Sequence, residues 1–204
     1  MEQSKSASSG NFKFTETSID GLIIVDVKTY GDDRGSFMET YKKPDFINGG
    51  IDVDFVQDNQ SFSVKGVLRG LHYQINHPQS KLVRVIKGKV YDVAVDLRPN
   101  SPTFGQWEGV VLSSENRRQF FIPRNFAHGF LVLSEEAEFC YKCDDIYHPD
   151  DEGGIMWNDP ELGIEWPALE GEAELDVSRL IISEKDQRHP SLSAGFRENG
   201  QASL

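Results

Sequence analysis

Short runs in which apolar and polar residues alternate cover most of the chain up to about residue 150. The clearest run is residues 90–97, where Tyr91, Val93, Val95 and Leu97 share one face. Alternation with a period of two is typical of β-strands, and no long segment before residue 150 has the helical period. Many short strands without intervening helices indicate an all-β fold, either a sandwich or a jelly-roll barrel.

Further strands are predicted where β-branched and aromatic residues are bounded by glycine, proline or polar turns. They cover residues 22–27, 54–61, 67–74, 81–86, 107–112, 118–122, 129–133 and 137–143. Residues 81–86 and 90–97 flank the short connection Lys87-Gly88-Lys89. Two strands around a short glycine-containing connection favour a β-hairpin at this point.

The chain is expected to form one domain with two arms. Residues 1–13 are serine-rich and without periodicity, which is typical of a disordered leader. Residues 14–190 would form the domain, and residues 191–204 a frayed tail. Short peripheral helices are expected at residues 42–48 and after the capping-box pattern of residues 183–186.

The charge balance narrows the class of ligand. The 204 residues carry a formal charge of −12, whereas nucleic-acid binding requires a basic surface. Nucleic acid is therefore excluded as the main ligand, although a local group of Arg and Lys can still hold a small anion. No apolar run has the length of a membrane span, and the chain does not open on a signal-peptide pattern. We therefore expect a soluble cytoplasmic protein.

Two cysteines and three histidines have ordinary interpretations. Cys140 and Cys143 have the C-x-x-C spacing of metal and redox sites, but both fall within one predicted strand, where this spacing places them on opposite faces. Reduced, inert thiols are the favoured interpretation. His77, His148 and His189 each neighbour a proline in a loop-like segment and are predicted to be exposed to solvent.

The predicted strand of residues 67–74 is too polar for an ordinary core strand. It reads Val-Leu-Arg-Gly-Leu-His-Tyr-Gln, and an unpartnered charge or imidazole in a core is costly. Strict alternation sends Arg69 and His72 to opposite faces, but Gly70 between them permits a β-bulge. The strand is therefore predicted either to lie at a solvent-exposed edge or to line a polar cavity.

Two proton-transfer groups on different strands suggest a chemistry for this cavity. His72 has no second histidine two residues away, which disfavours a metal site and favours an acid–base role. Tyr141 shares the interior face with Ala137 and Phe139, so that it is either a core tyrosine or an acid facing His72. A base and an acid on opposite sides of a carbon can epimerise it. Where that carbon adjoins a ketone, a cation such as Lys81 can stabilise the enolate.

Several blocks of sequence, in order, resemble one known family, dTDP-4-dehydrorhamnose 3,5-epimerase. The similarity covers about residues 22–189. Its blocks are Gly31-Asp32-Asp33-Arg34-Gly35-Ser36-Phe37, Gln57-Asp58-Asn59, Leu68-Arg69-Gly70-Leu71-His72-Tyr73-Gln74, Lys81-Leu82-Val83-Arg84, Tyr91-Asp92-Val93-Ala94-Val95-Asp96, Ser101-Pro102-Thr103-Phe104-Gly105, Phe126-Ala127-His128-Gly129-Phe130 and Trp157-Asn158-Asp159-Pro160. The resemblance implies a cupin-like jelly-roll barrel that works as a homodimer without metal or other cofactor.

The resemblance also implies residue roles. His72 is the expected base and is paired with Asp186. Tyr141 is the expected acid, and Lys81 is expected near the keto oxygen. Positions matching contacts to the nucleotide diphosphate, the thymine and the sugar are Arg34, Glu39, Gln57, Asp58, Asn59, Arg69, His128, Tyr147, Glu152 and Lys185.

The expected reaction is epimerisation at carbons 3 and 5 of dTDP-4-dehydro-6-deoxy-D-glucose, giving dTDP-4-dehydro-L-rhamnose. The alternative within the same fold is a single-centre epimerase or a ketoisomerase acting on a related dTDP-4-keto-6-deoxysugar. Two alternatives lie further away: a non-catalytic sensor of sugar nucleotides, and a metal-dependent cupin oxygenase. The sensor is disfavoured because this chain keeps both the histidine and the tyrosine.

Overall fold

A computed structural model describes residues 5–198, with side chains up to residue 195. Strands dominate this part of the chain, as predicted, and the helices are short. The strands are β1 (Ser6–Ser9), β2 (Phe12–Glu16), β3 (Ile23–Val27), β4 (Thr29–Asp32), β5 (Gly35–Met38), β6 (Gln57–Val64), β7 (Val67–Gln74), β8 (Lys81–Lys87), β9 (Lys89–Asp96), β10 (Trp107–Ser113), β11 (Gln119–Ile122), β12 (Phe126–Val132), β13 (Glu136–Cys143), β14 (Glu152–Gly154) and β15 (Ile181–Ile182). The α-helices are α1 (Lys43–Asn48) and α2 (Leu192–Glu198).

Two large sheets enclose the main core. The first has the strand order β1-β2-β3-β11-β8-β13-β6, and the second has the order β10-β9-β12-β7-β14, with β15 parallel to β7. Apolar side chains of both sheets meet in one cluster, among them Val85, Phe120 and Phe139 from the first sheet and Ala94 and Phe130 from the second. Burial of these side chains is the main favourable contribution to folding. The all-β jelly-roll prediction is confirmed.

The predicted hairpin between β8 and β9 is wrong. β8 pairs with β11 and β13 in the first sheet, whereas β9 pairs with β10 and β12 in the second. The connection at Gly88 therefore crosses from one sheet to the other. Gly88 has a φ of +78°, and a Cβ there would lie 1.9 Å from the carbonyl oxygen of Glu136, so that only glycine fits this crossing.

The expected disordered leader is wrong for the part of it that is described. β1 pairs with β2, which pairs with β3, so that residues 6–16 extend the first sheet. Phe12 and Phe14 pack edge-on against Phe46 of α1 in a second apolar cluster. The residues of β1 are polar or small and give no periodic signal in the sequence. The strand is held in place by backbone pairing with β2, which residue type does not reveal. Residues 1–4 lie outside the described part.

The segment after residue 150 covers the outer face of the second sheet. Its apolar side chains Ile155 and Leu162 pack with Leu71 of β7, and Leu192 of α2 joins them, so the expected frayed tail begins as a helix. Residues 199–204 lie outside the described part. At the predicted capping box, Ser183 Oγ accepts a hydrogen bond from the Asp186 N–H at 3.1 Å, but a single 3-10 turn follows (Asp186–Arg188). Within residues 5–198, no helix is long and apolar enough to cross a membrane.

Candidate active site

The predicted β-bulge in β7 is present. His128 and Phe130 of β12 stand opposite His72 and Arg69 of β7, so that one residue of β12, Gly129, faces two of β7, Gly70 and Leu71, and the register shifts. The extra residue is accommodated at Gly70, whose φ is +115° and where a Cβ would lie 2.6 Å from Gly129 Cα. Outside the bulge the side chains alternate between the two faces of the sheet, and the bulge lets Arg69 and His72 share the inner one.

The imidazole of His72 is paired with a carboxylate from the C-terminal segment. Its Nε2 lies 2.8 Å from Asp186 Oδ1, and the other carboxylate oxygen accepts the Gly70 backbone N–H at 3.2 Å. Burial opposes ionisation of Asp186, but interactions with His189, His72 and the Gly70 N–H hold the pKa of this carboxyl far below its usual range. The carboxylate is therefore charged and fixes which nitrogen of His72 carries the proton.

A cavity of about 280 Å³ opens between the two sheets beside this pair. One wall comes from β7 and β14 of the second sheet, with His72 and Glu152. The facing wall comes from the first sheet, with Lys81 at the start of β8 and Tyr141 on β13. Asn59 stands directly opposite Tyr141 in the pairing of β6 with β13. The fold thus presents His72 and Tyr141, the expected base and acid, from opposite sides of one space.

The facing wall carries an amine and a phenol whose pKa values are both shifted by burial. Burial lowers the pKa of the Lys81 ammonium, and the carboxylates of Asp92 and Glu152 act in the opposite sense. Burial raises the pKa of the Tyr141 hydroxyl, while the charge of Arg69 opposes the rise. Tyr141 therefore holds its proton at neutral pH and is available as a proton donor.

Glu152 contacts both the side chains at the mouth of the cavity and the imidazole of His72. It accepts a hydrogen bond from the Tyr147 hydroxyl at 2.5 Å and forms an ion pair with Lys185 Nζ at 2.6 Å. Although burial would raise the pKa of Glu152, these two partners lower it, and Glu152 in turn raises the pKa of Tyr147 to about 12. Glu152 Oε1 also lies 3.9 Å from His72 Nε2. The rim of the cavity therefore carries the Glu152–Lys185 ion pair beside the imidazole.

Comparison with known families and structures agrees with this geometry. Residues 16–194 match the family described as dTDP-4-dehydrorhamnose 3,5-epimerase. A Methanothermobacter thermautotrophicus protein of that name is 56% identical over 188 residues, which is 92% of this chain and 96% of its own. The chain belongs to the dTDP-4-dehydrorhamnose 3,5-epimerase family.

Two solved structures of similar proteins also have this fold. A Legionella pneumophila dTDP-6-deoxy-D-glucose-3,5-epimerase, in complex with dTDP-4-keto-L-rhamnose, superposes with a TM-score of 0.85 at 50% identity, covering 92% of this chain and 96% of its own. ChmJ, a 3'-monoepimerase from Streptomyces bikiniensis in complex with dTDP-quinovose, superposes with a TM-score of 0.80 at 30% identity, covering 90% and 89%. One fold therefore accommodates epimerases described as acting at different numbers of centres.

Most residues expected from the epimerase resemblance meet at this cavity or next to it. Gln57, Asn59 and Tyr147 line it, and the Gln57 side chain accepts the Tyr147 backbone N–H at 2.8 Å. Arg69 reaches across to β6, where its Nη2 donates to Ser63 Oγ at 3.1 Å. Arg69 is thus hydrogen-bonded to the first sheet, although its side chain is exposed to solvent.

His128 lies in a different environment from the one expected of a substrate contact. Its Nε2 contacts both carboxylate oxygens of Asp92, at 3.1 and 2.9 Å, within the core. Burial lowers the pKa of the His128 imidazole, and the Asp92 carboxylate opposes the shift. His128 is not among the side chains that line the described cavity. It stands opposite His72 in the pairing of β12 with β7, and its ring stacks on Phe139 of the facing sheet.

Three expected binding residues lie away from the cavity of their own chain. Arg34, on the β4–β5 hairpin, pairs with Asp32 at 2.5 Å and is 89% exposed. Glu39 follows β5 and accepts a hydrogen bond from Asn11 Nδ2 at 3.2 Å. Asp58 points to the opposite face of β6 from Asn59 and pairs with Lys142 at 2.6 Å. Side chains alternate between the two faces of a strand, which explains why Asp58 points away from the cavity. The same rule, applied to the sequence, could have removed Asp58 from the set of expected binding residues.

His189 is the main error among the predicted exposed residues. Its side chain is only 10% exposed and lies 3.6 Å from Asp186 Oδ1. Residues three apart lie on the same side of a 3-10 turn, so the spacing of Asp186 and His189 was a signal for this contact. His77 and His148, by contrast, stack on each other near the surface with ring centroids 4.0 Å apart.

Proposed function

We propose that this chain epimerises carbons 3 and 5 of dTDP-4-dehydro-6-deoxy-D-glucose to give dTDP-4-dehydro-L-rhamnose. The supporting observation is the His72–Asp186 pair on one wall of a cavity whose other wall presents Lys81 and Tyr141. A sugar ring held between these walls has a base on one side and an acid on the other. Family membership supports the same substrate class.

The His72–Asp186 pair generates the base. The Nε2–H of His72 donates to the Asp186 carboxylate at 2.8 Å, which leaves the lone pair on Nδ1. Nδ1 removes the proton from a carbon next to the 4-keto group, and the C–H electron pair moves into the enolate. The ionised carboxylate of Asp186 lies 2.8 Å from Nε2 and stabilises the positive charge of the resulting imidazolium.

Lys81 and Tyr141 complete each epimerisation. The charge on the 4-oxygen of the enolate is stabilised by the Lys81 ammonium, and a donor in this position can contribute about 3 kcal/mol. Tyr141 then gives its hydroxyl proton to the opposite face of the same carbon, which inverts the centre and restores the ketone. His72 releases its proton and Tyr141 regains one through water before the second carbon reacts. In this series of steps the base, the acid and the stabilising cation are all side chains of this protein, and water exchanges the protons.

The nucleotide end of the substrate is assigned to the polar residues near the cavity mouth. Gln57, Asn59 and Arg69 offer amide and guanidinium donors to a diphosphate, and Tyr147 offers an aromatic face to the thymine. The two cysteines are unpaired, which fits the reducing cytoplasm proposed as the location of this enzyme.

We further propose a homodimer in which the β4–β5 hairpin and the residue that follows it serve the partner's site. Arg34 and Glu39 are absent from the lining of their own cavity, and Phe37 beside them is 69% exposed. The Arg34→Ala variant should raise KM about tenfold or more with little change in kcat, because a charged hydrogen bond to phosphate contributes about 1.5–3 kcal/mol. Light scattering should give the mass of two chains; a monomer with full activity would contradict this assignment.

Isotope exchange tests the reaction itself. The enzyme is incubated with substrate in heavy water, and the product is analysed by NMR. Deuterium at both carbon 3 and carbon 5 is expected, since each proton is lost to His72 and replaced from Tyr141. Label at carbon 3 alone would favour a single-centre epimerase, the alternative supported by the structural similarity to the 3'-monoepimerase ChmJ. A shifted carbonyl position in the product would favour a ketoisomerase.

A further inference from the structure

His189 is a buried imidazole without an assigned role. Its ring packs against β14, where a Cβ at Gly154 would lie 2.2 Å from the ring carbon Cε1. The side chain is nine-tenths buried, and Nε2 makes no hydrogen bond to any described residue. A buried polar nitrogen without a hydrogen bond costs about 1–3 kcal/mol, so its position calls for a partner.

The unpartnered nitrogen is aimed at the carboxylate of the catalytic pair. His189 Nε2 lies 3.6 Å from Asp186 Oδ1, and His72 Nε2 lies 2.8 Å from the same oxygen. One ligand atom from each of these three residues lies within 4.8 Å of the other two. Tetrahedral zinc with bonds of about 2.0–2.1 Å separates its ligand atoms by roughly 3.3 Å, so shifts of about 1 Å in each side chain would close this group around an ion.

We propose that His72, Asp186 and His189 form a binding site for a divalent transition-metal ion, with zinc as the reference ion, and that the ion inhibits the enzyme. Two imidazoles and one carboxylate are a donor set that zinc accepts, with a fourth position left for water. The inhibitory part of this inference rests on the proposed function.

The surroundings of the three ligands favour a cation. Asp186 Oδ2 is already engaged by the Gly70 N–H at 3.2 Å, which orients Oδ1 toward the two imidazoles. Glu152 Oε1 lies 3.9 Å from His72 Nε2, while its other oxygen pairs with Lys185 Nζ at 2.6 Å. The ion would therefore enter a site whose three ligands are mostly in place and include one charged carboxylate, Asp186.

Inhibition follows from the nitrogen that the ion would occupy. In the active form, Nε2 of His72 carries the proton and Nδ1 is free to accept one. An ion on Nε2 displaces that proton, and the neutral ring then carries it on Nδ1. The imidazole can no longer accept a proton from the sugar carbon, and Asp186 loses its partner to the metal. Zinc and catalysis are therefore mutually exclusive at this pair.

Calorimetric titration of the metal-free full chain with zinc chloride tests the site without any substrate. One tight ion per chain is expected for the wild type, and His189→Gln should bind at least tenfold more weakly, which corresponds to about 1.4 kcal/mol. His148→Gln is the matched control, because it removes one imidazole of the stacked surface pair with His77. Its zinc affinity should equal that of the wild type.

Two further measurements guard against a misfolded variant. Zinc should shift the side-chain ¹⁵N resonances of His72 and His189 in the wild type, whereas those of His77 and His148 should stay in place. In the activity assay, zinc should inhibit the wild type and EDTA should restore the rate. Inhibition of His189→Gln, relative to its own zinc-free rate, should require at least tenfold more zinc.

The outcomes separate this site from the epimerase assignment. Equal zinc affinity of the wild type and His189→Gln, or loss of binding in His148→Gln, would overturn the site. Tight zinc binding at His72 and His189 without loss of turnover would overturn the inhibitory role. A wild type that binds zinc as expected but does not turn over the dTDP-sugar would support the site and contradict the proposed function instead.

Discussion

Two histidine–aspartate pairs lie side by side in this molecule, and only one of them faces the cavity. His72 and His128 stand opposite each other on β7 and β12, each with Nε2 within about 3 Å of a carboxylate. The His72 side chain is 29% exposed, whereas that of His128 is 9% exposed and its partner Asp92 is fully buried. The same two functional groups are thus placed in an open and a sealed environment.

The difference shows that position decides what an imidazole–carboxylate pair can do. The open pair draws its carboxylate from the C-terminal segment, and one of its two nitrogens remains available to a ligand. The sealed pair lies within the second sheet, between β9 and β12, and packs against Phe139 of the facing sheet. We therefore propose that the pair with His72 transfers the proton and that the pair with His128 supports the cavity wall.

Replacing the two histidines should separate these roles most strongly. His72→Asn should lower kcat by about 10²–10⁴-fold, because it removes the general base, and should also lower the free energy of unfolding, because the buried Asp186 carboxylate loses its imidazole partner. Steady-state kinetics and urea denaturation measure the two quantities on the same preparation. His128→Asn is the matched variant and should retain more activity than His72→Asn. The reverse order of activities would show that the sealed pair is the base.

Replacing the carboxylate of the sealed pair should act mainly on stability. Asp92 is fully buried, and Asp92→Asn leaves the side-chain volume nearly unchanged. The substitution weakens the hydrogen bonds between residue 92 and His128. A loss of about 1–3 kcal/mol in the free energy of unfolding is expected, as for a buried polar group left without a proper partner. Urea denaturation of Asp92→Asn beside Asp58→Asn, whose side chain is 61% exposed, provides the measurement and its control. Equal stability of the two variants would contradict the structural role.

The sequence predicted the features that depend on local pattern. Alternation located the strands, and the glycine between Arg69 and His72 predicted the bulge that brings them to one face. Family resemblance, rather than pattern, joined Asp186 to His72 across more than a hundred residues of chain. No local rule brings such distant residues together, because their approach depends on how the C-terminal segment crosses β7.

The errors have the same origin in longer-range packing. β8 and β9 have the pattern of a hairpin, yet each pairs with strands distant in sequence. β1 has little apolar content, and its order comes from the strand beside it. His189 follows a loop pattern, but its burial is decided by the packing of β14 over the 3-10 turn. Local composition describes a segment, whereas burial depends on its neighbours in space.

The pH dependence of stability provides the finest test of the difference between the two pairs. Burial lowers the pKa of His128 in the folded protein, and Lys81 and His72 nearby act in the same direction, while Asp92 opposes them. In the unfolded chain this imidazole titrates near the ordinary value of about 6.5, so the unfolded state binds the proton first as the pH falls. The contribution of His128 to stability is therefore complete above about pH 6.5 and decreases below it, by at most about 1.4 kcal/mol per pH unit.

Urea denaturation between about pH 7 and pH 5 should show a shallower slope of unfolding free energy against pH for His128→Gln than for the wild type, because glutamine takes up no proton. Equal slopes in the wild type and His128→Gln would mean that the sealed imidazole takes up its proton as easily as an exposed one.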